Sequence, residues 1–224
     1  MSLNVRALWA EFLGTAGLLA VVVGSGIMAQ RLALGNDALA LLANAIVTGF
    51  GLYILISILA PISGAHFNPA VTLVAAIAGG FVWKRVPGYL VAQLSGAIAG
   101  VFLAHVMFDL PILQLGTHAR AGTGQFVSEA VATCGLLLTI IGFTRSAPSQ
   151  TAAAVGAYIA GAYWFTASTS FANPAVTVAR ALTNTFAGIR PQDAPAFILA
   201  QLAGSVAAVL LARSLGLRAG SPTA

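Results

Sequence analysis

Long apolar runs separated by short polar stretches dominate the pattern of this chain. Six of these runs are long enough to cross a hydrocarbon core of about 30 Å, which takes roughly 20 helical residues. They cover approximately 6–30, 38–60, 84–108, 124–145, 150–168 and 192–214. The residues between them are rich in Gly, Pro, Asn, Asp and Arg, which favour loops. The pattern therefore predicts an all-α membrane protein with six transmembrane helices.

Two further apolar stretches are too short to span a membrane. One begins at Asn68 and the other at Asn173, and both open with the pentapeptide Asn-Pro-Ala-Val-Thr. Asn is a good helix N-cap and Pro is favoured at the first helical position, so each motif predicts a sharp helix start. At about 11–12 residues, each helix is only about 17 Å long. Because lipid does not tolerate unpaired backbone, we expect two half-helices that are buried or line a wet cavity.

Three polar landmarks occur twice, in the same order. They are Glu11, Asn68 and Gln93, and then Glu129, Asn173 and Gln201. Because each half holds three spans, the second half enters the membrane from the opposite side. Inverted repeats whose half-helices meet near the midplane are typical of channels and transporters. We therefore expect one transmembrane channel domain over 1–224, with inverted repeats at approximately 6–108 and 124–215.

Composition supports a membrane environment. The chain is 59% hydrophobic and only 7% charged, whereas a soluble domain is about 25% charged. The net charge of +5 comes from isolated basic residues between apolar runs, which indicates membrane topology and no nucleic-acid partner. A cytoplasmic N-terminus places six basic residues inside and four outside, which mildly favours cytoplasmic termini. The inside set is Arg6, Lys84, Arg85, Arg145, Arg213 and Arg218, and the outside set is Arg31, Arg120, Arg180 and Arg190.

Three segments carry a resemblance to a known family. They are 10–15 (AEFLGT), 63–72 (SGAHFNPAVT) and 173–175 (NPA). With them the chain resembles the aquaporin and aquaglyceroporin (major intrinsic protein) family over nearly its whole length. The resemblance implies two re-entrant half-helices, a cytoplasmic N-terminus, and a homotetramer with one passive pore per subunit. The pore motifs it implies are Asn68, Pro69, Ala70, Asn173, Pro174 and Ala175.

The half-helices predict how such a pore excludes ions. Each helix N-terminus carries about half a positive charge, so two of them at the midplane repel cations. Asn68 and Asn173 are expected to present amide donors there to solutes in single file. His66 is expected to line the cytoplasmic side. The resemblance implies that Glu11 and Glu129 hold the loop backbones.

The selectivity filter departs from the pattern of the family. Where most members have an arginine after the second Asn-Pro-Ala, this chain has Val176. Spacing carries over three more filter positions, which are Thr48, Gly161 and Ser170. This set predicts a small, uncharged filter without an aromatic wall, wide enough for solutes larger than water. Arg180 lies one turn beyond Val176 and is expected in the outer vestibule, either attracting anions or bound to headgroups.

The Val176 filter resembles that of a bacterial subgroup associated with arsenical resistance. That resemblance implies permeation of neutral or weakly charged arsenic species, including methylated ones. With the wide filter it predicts a passive channel for water and small uncharged solutes such as glycerol or methylated arsenicals. The abundance of Ala and the excess of Arg over Lys indicate a bacterial source, and hence a location among the lipids of the bacterial inner membrane. The alternative is a proton-coupled secondary transporter, because acids within spans such as Glu11 and Glu129 are functional by default. No paired catalytic constellation and no ligand-spaced metal cluster occurs in the sequence, so neither an enzyme nor a cofactor is expected. Tyr163 is expected in an aromatic belt or the core.

Overall fold

The structure, a computed structural model, describes residues 3–217 of the chain. Within that range it contains eight α-helices and no strand. The helices are α1 Leu3–Leu32, α2 Asp37–Ser63, α3 Pro69–Ile77, α4 Val86–Met107, α5 Thr123–Ser146, α6 Thr151–Phe165, α7 Pro174–Arg180 and α8 Ala194–Ser214. The predicted all-helical membrane architecture is confirmed. Arg218, which contributes to the predicted charge bias, lies outside the described residues.

Five helical segments are long and apolar enough to cross a membrane. They are Asn4–Leu32, Asp37–Ser63, Trp83–Met107, Thr123–Ser146 and Ala194–Ser214. The sixth predicted span, 150–168, is shorter than expected, because α6 has 15 residues and ends at Phe165. A 3₁₀ turn over Pro148–Gln150 precedes it, so the combined rise is about 28 Å, close to the thickness of the hydrocarbon core.

The two short helices begin where the sequence predicts. Asn68 caps α3, since its Oδ1 accepts the N–H of Ala70 at 2.8 Å. Asn173 caps α7 and accepts the N–H groups of Ala175 at 3.0 Å and Val176 at 3.3 Å. Pro69 and Pro174 occupy the first helical positions, where a missing N–H is harmless. With nine and seven residues, the two helices are somewhat shorter than predicted.

Helix packing has the same order in both halves. In the first half α1 packs against α2 and α4, and in the second α5 packs against α6 and α8. The α2–α6 contact joins the halves, and it is close because two glycines meet there. A Cβ on Gly49 would lie 2.8 Å from the carbonyl oxygen of Gly156, and the reciprocal distance is 2.5 Å. The outer faces carry exposed apolar side chains such as Leu13, Phe50 and Leu199, which suit contact with lipid.

Candidate functional site

The two Asn-Pro-Ala loops meet inside the helix bundle. Nδ2 of Asn68 donates to the carbonyl oxygen of Ala172 at 2.7 Å, and Nδ2 of Asn173 donates to that of Phe67 at 2.8 Å. Both asparagines are 4% exposed. Each side chain thus caps its own helix through its oxygen and joins the opposite loop through its nitrogen, so the starts of α3 and α7 abut.

Glu11 on α1 holds the loop before α3. Its Oε1 accepts the Ser63 hydroxyl at 2.6 Å and the backbone N–H of His66 at 2.9 Å. Its Oε2 accepts the backbone N–H of Phe67 at 2.8 Å and the Gln93 amide at 2.8 Å. Four donors therefore converge on one fully buried carboxylate. Such charge-assisted bonds fix the path of the loop.

Glu129 on α5 does the same for the loop before α7. It accepts the backbone N–H groups of Phe171 at 2.8 Å and Ala172 at 2.9 Å, and the Gln201 amide at 2.6 Å. Both loops also carry residues in the left-handed region. They are Ala65, Phe67, Thr169, Ser170 and Ala172, with φ between +48° and +59°. Because non-glycine residues adopt such angles at a cost, the carboxylate bonds stabilise a strained backbone.

A cavity of about 670 Å³ runs through the bundle past the meeting point of the loops. Its lining includes Asn68, Asn173 and Val176, and it extends from Arg145 at the C-terminal end of α5 to Arg180 at the end of α7. A water molecule takes about 30 Å³ in the liquid, so the cavity has room for a file of water molecules. No Asp or Glu of residues 3–217 lines it, and the other lining residues are mainly apolar.

The structure brings together three of the four filter residues predicted from spacing. Thr48, Ser170 and Val176 line the cavity, but Gly161 does not. Gly161 is exposed on the outer face of α6, and a Cβ there would meet nothing within 4 Å. In its place Tyr163 lines the cavity, with its hydroxyl 3.4 Å from Oγ1 of Thr48. The prediction of Gly161 and of a filter without an aromatic wall is therefore wrong.

The helical period explains why Tyr163 faces the cavity and Gly161 does not. Thr151, Val155, Ile159 and Tyr163 recur every four residues and all line the cavity, as one stripe of a helix must. Residue 161 is two positions away from that stripe, on the opposite side. Counting twelve residues back from Asn173 does not find the inward-facing residue of α6. The count crosses the non-helical stretch between α6 and α7, which does not follow the helical period. A tyrosine in register with Thr151, Val155 and Ile159 is the signal that identifies this position.

Arg180 also lines the cavity, although it is only 2% exposed. Its Cζ lies 3.4 Å from the ring centroid of Phe171, and its Nε donates to the carbonyl oxygen of Ala187. A second guanidinium, that of Arg120, lies 5.0 Å from the same ring. Burial lowers the pKa of Arg120 to about 10, so it keeps its charge at neutral pH. Spacing alone does not bring Arg120 to this place.

His66 lines the opposite half of the cavity, where an aromatic cluster surrounds it. Its ring centroid lies 5.0 Å from that of Phe81 and 5.4 Å from that of Tyr89. Its Nδ1 lies 3.1 Å from the Thr72 hydroxyl. The Arg85 guanidinium covers both neighbouring rings. Stacked rings and two arginines, Arg85 and Arg145, therefore surround this side of the cavity, so both ends of the cavity are cationic.

Comparisons with known proteins agree with this geometry. The chain is 55% identical over 206 residues to Aquaglyceroporin AqpS of Rhizobium meliloti (strain 1021), covering 92% of this chain and 88% of the relative. It is 32% identical over 150 residues to the Probable glycerol uptake facilitator protein of Thermotoga maritima, covering 59% and 62%. The aquaglyceroporin of Plasmodium falciparum superimposes with a TM-score of 0.75 at 22% identity, over 93% of this chain and 95% of that one, and thus shares the fold.

The family assignment rests on the sequence matches together with the paired loops. A family model described as Major intrinsic protein matches residues 1–149. That range contains Glu11, Asn68 and Gln93, and the second half repeats their hydrogen bonds through Glu129, Asn173 and Gln201. The chain therefore belongs to the major intrinsic protein family and is a passive channel of the membrane.

Proposed function

We propose that the channel conducts water and small uncharged solutes, from polyols of the size of glycerol up to methylated arsenicals. The observation that carries the proposal is Val176 in the wall of a cavity of about 670 Å³. Valine offers no donor and projects less far than arginine, so the wall at this point admits bulkier solutes. The names of the relatives, Aquaglyceroporin AqpS and Probable glycerol uptake facilitator protein, support the polyol part.

The pore in this proposal passes the paired asparagines and a filter of Thr48, Tyr163, Ser170 and Val176. Thr48, Tyr163 and Ser170 supply hydroxyl groups, and the Ser170 hydroxyl has no partner within residues 3–217. Such groups take over the hydrogen bonds that a hydroxylated solute leaves behind in water, while Val176 accepts its alkyl part. His66 completes the lining on the cytoplasmic side.

We further propose an assembly and a membrane for this channel. We place one channel domain per chain in a homotetramer of the bacterial inner membrane, with both termini cytoplasmic. The exposed apolar side chains on the outer helix faces support contact with lipid or with sister subunits. The excess of basic residues assigned to the cytoplasmic side supports the orientation.

The proton-coupled alternative requires Glu11 or Glu129 to act as a proton carrier in the pore. Glu11 and Glu129 do not line the cavity, and their oxygens are engaged by loop N–H groups and by Gln93 or Gln201. A carrier must exchange protons with the solute path, which neither carboxylate reaches.

Stopped-flow measurements on proteoliposomes test the proposed solutes directly. We expect the proteoliposomes to shrink through water efflux and to take up glycerol and a methylated arsenical. None of these fluxes should depend on an imposed pH gradient. Empty liposomes provide the baseline. High water permeability without detectable glycerol or arsenical flux would contradict the wide filter.

Val176→Arg is expected to narrow the pore and to suppress the bulkiest solute first. Arginine adds a long side chain and a charge to the wall, so glycerol flux should fall about tenfold while water flux falls less. Val176→Ala is the matched control, and its glycerol flux should stay within about twofold of wild type. Equal glycerol flux in the arginine variant would show that this residue does not line the constriction.

Gly161→Leu and Tyr163→Ala distinguish the predicted filter residue from the observed one. Because residue 161 faces outward into open space, its leucine variant should keep water and glycerol flux within about twofold. Tyr163→Ala removes a ring from the wall and should raise the flux of the bulkier solute relative to water, by about tenfold. If Gly161→Leu abolishes flux in the same liposomes, residue 161 lines the pore, as spacing predicts.

A further inference from the structure

Arg180 is a buried cation that the pore of the proposed function does not explain. It is 2% exposed and lines the cavity, four residues after Val176 and thus about 6 Å further along α7. The only hydrogen bond of its side chain within residues 3–217 runs from Nε to the Ala187 carbonyl. Nη1 and Nη2 therefore keep their donors free, beside the ring of Phe171, which lines the same cavity.

A second cation reinforces the first. Arg120 comes from the segment between α4 and α5 and approaches the Phe171 ring to 5.0 Å. Its Nε donates to the Gly188 carbonyl at 2.9 Å and its Nη1 to that of Ser168 at 3.2 Å. These acceptors are neutral, so within the described chain no carboxylate forms an ion pair with either guanidinium. Arg120 is 6% exposed, and its contacts keep Phe171 in place against Arg180.

The local charge balance is positive. Glu129 is the acid that interacts electrostatically with both arginines, and its oxygens already accept Phe171, Ala172 and Gln201. A second carboxylate, that of Asp193, accepts the Arg120 N–H and forms an ion pair with Arg190, so three arginines face two engaged carboxylates. Burying an unpaired charge is costly unless a solute or water in the pore solvates it. The equivalent position in the first half is Ala75, so the repeated fold itself does not require a cation here.

We propose that Arg180 supplies the fixed positive charge of the selectivity filter, one helical turn beyond Val176, and that Arg120 positions it through Phe171. The pore is then wide at Val176 and closed to cations at Arg180. The free Nη groups of Arg180 donate to the hydroxyl or oxo oxygen of a passing solute, and Val176 contacts its alkyl group. The solute class this favours is small oxygen-rich molecules that are neutral or weakly anionic. The inference rests on the proposed function and goes beyond it, because it concerns charge selection.

Potassium and proton leak through proteoliposomes test this role. Arg180→Met keeps an unbranched apolar side chain beside Phe171 but removes the guanidinium and its charge. We expect its potassium permeability to rise about tenfold or more, with glycerol flux equal to or above wild type. Arg180→Lys should keep the leak within about threefold of wild type. Arg213→Gln, a change at an exposed arginine near the end of α8, is the matched control and should leave both fluxes unchanged.

A second pair of variants guards against a folding defect. In the Val176→Arg, Arg180→Met double variant the charge returns to the pore one turn earlier, so cation exclusion should recover while glycerol flux falls. If the Met variant does not assemble, Arg180→Gln and the Val176→Arg, Arg180→Gln double variant are compared in its place. A potassium leak that stays at wild-type level in an assembled neutral variant would overturn the inference. Absence of glycerol flux in the wild type would instead overturn the proposed function.

Discussion

Glu11→Gln is expected to destabilise the folded protein by about 3 kcal/mol or more, because the side chain sits at the centre of a buried polar network. The carboxylate accepts from Ser63, His66, Phe67 and Gln93, two donors on each oxygen. Glutamine keeps one acceptor oxygen and turns the other into an NH₂ group that faces two donors. Hydrogen bonds to a charged group contribute about 1.5–3 kcal/mol each, so losing two of them reaches this magnitude.

Thermal unfolding in detergent measures this loss, and a matched neutralisation provides the control. Asp109→Asn exchanges an exposed carboxylate for an amide in the segment after α4 and should change stability by less than about 0.5 kcal/mol. The folded fraction of Glu11→Gln should still conduct solutes, and this flux should not depend on a pH gradient. If Glu11→Gln melts at the wild-type temperature, the Glu11 carboxylate does not stabilise the protein through this network. Proton-driven uptake in the wild type that disappears in the variant would make Glu11 a carrier.

The features that the sequence predicts well are those with local or repeated signals. Asn68 and Asn173 cap the helices that directly follow them, so a short motif is enough to place two half-helices. The Glu–Gln pairs span many residues, but Glu11 with Gln93 and Glu129 with Gln201 occur twice in one order, and the repetition indicates a shared role. The structure shows both pairs in contact, at 2.8 Å and 2.6 Å.

The features that the sequence does not predict depend on the rotation of a helix about its axis and on the path of a loop. Gly161 fails as a filter residue because the facing stripe of α6 is set by packing, which puts Tyr163 inward. The contact between Arg120 and Phe171 depends on the long connection between α4 and α5. That connection is fixed from a distance, since the Arg120 N–H donates to Asp193 at 2.8 Å. No pattern local to either residue contains this information.

The close approach of α1 and α4 depends on a glycine that the repeat preserves. A Cβ on Gly96 would lie 2.3 Å from the carbonyl oxygen of Phe12, and one on Gly204 would lie 2.3 Å from that of Ala130. Each glycine follows its network glutamine by three residues, and each carbonyl belongs to the residue after the network glutamate. The same close contact thus brings glutamine within reach of glutamate in both halves.

Gly96→Ala is therefore expected to destabilise the protein by about 2–3 kcal/mol, although alanine is the better helix former. The propensity gain is about 1 kcal/mol, whereas the new methyl group overlaps a backbone atom that moves only with its helix, and overpacking of this kind costs about 1–3 kcal/mol or more. Separating α1 from α4 also stretches the Gln93–Glu11 bond, which adds to the loss. The melting temperature in detergent should fall accordingly.

Gly142→Ala is the matched control for this substitution. It lies within α5, and a Cβ there meets nothing within 4 Å. It should therefore gain up to about 1 kcal/mol from propensity alone. Because Glu11 holds the loop before Asn68, Gly96→Ala should also lower water flux per folded channel, whereas Gly142→Ala should not. Equal melting temperatures and equal fluxes in the two variants would show that the Gly96 contact does not set the position of the pore loop.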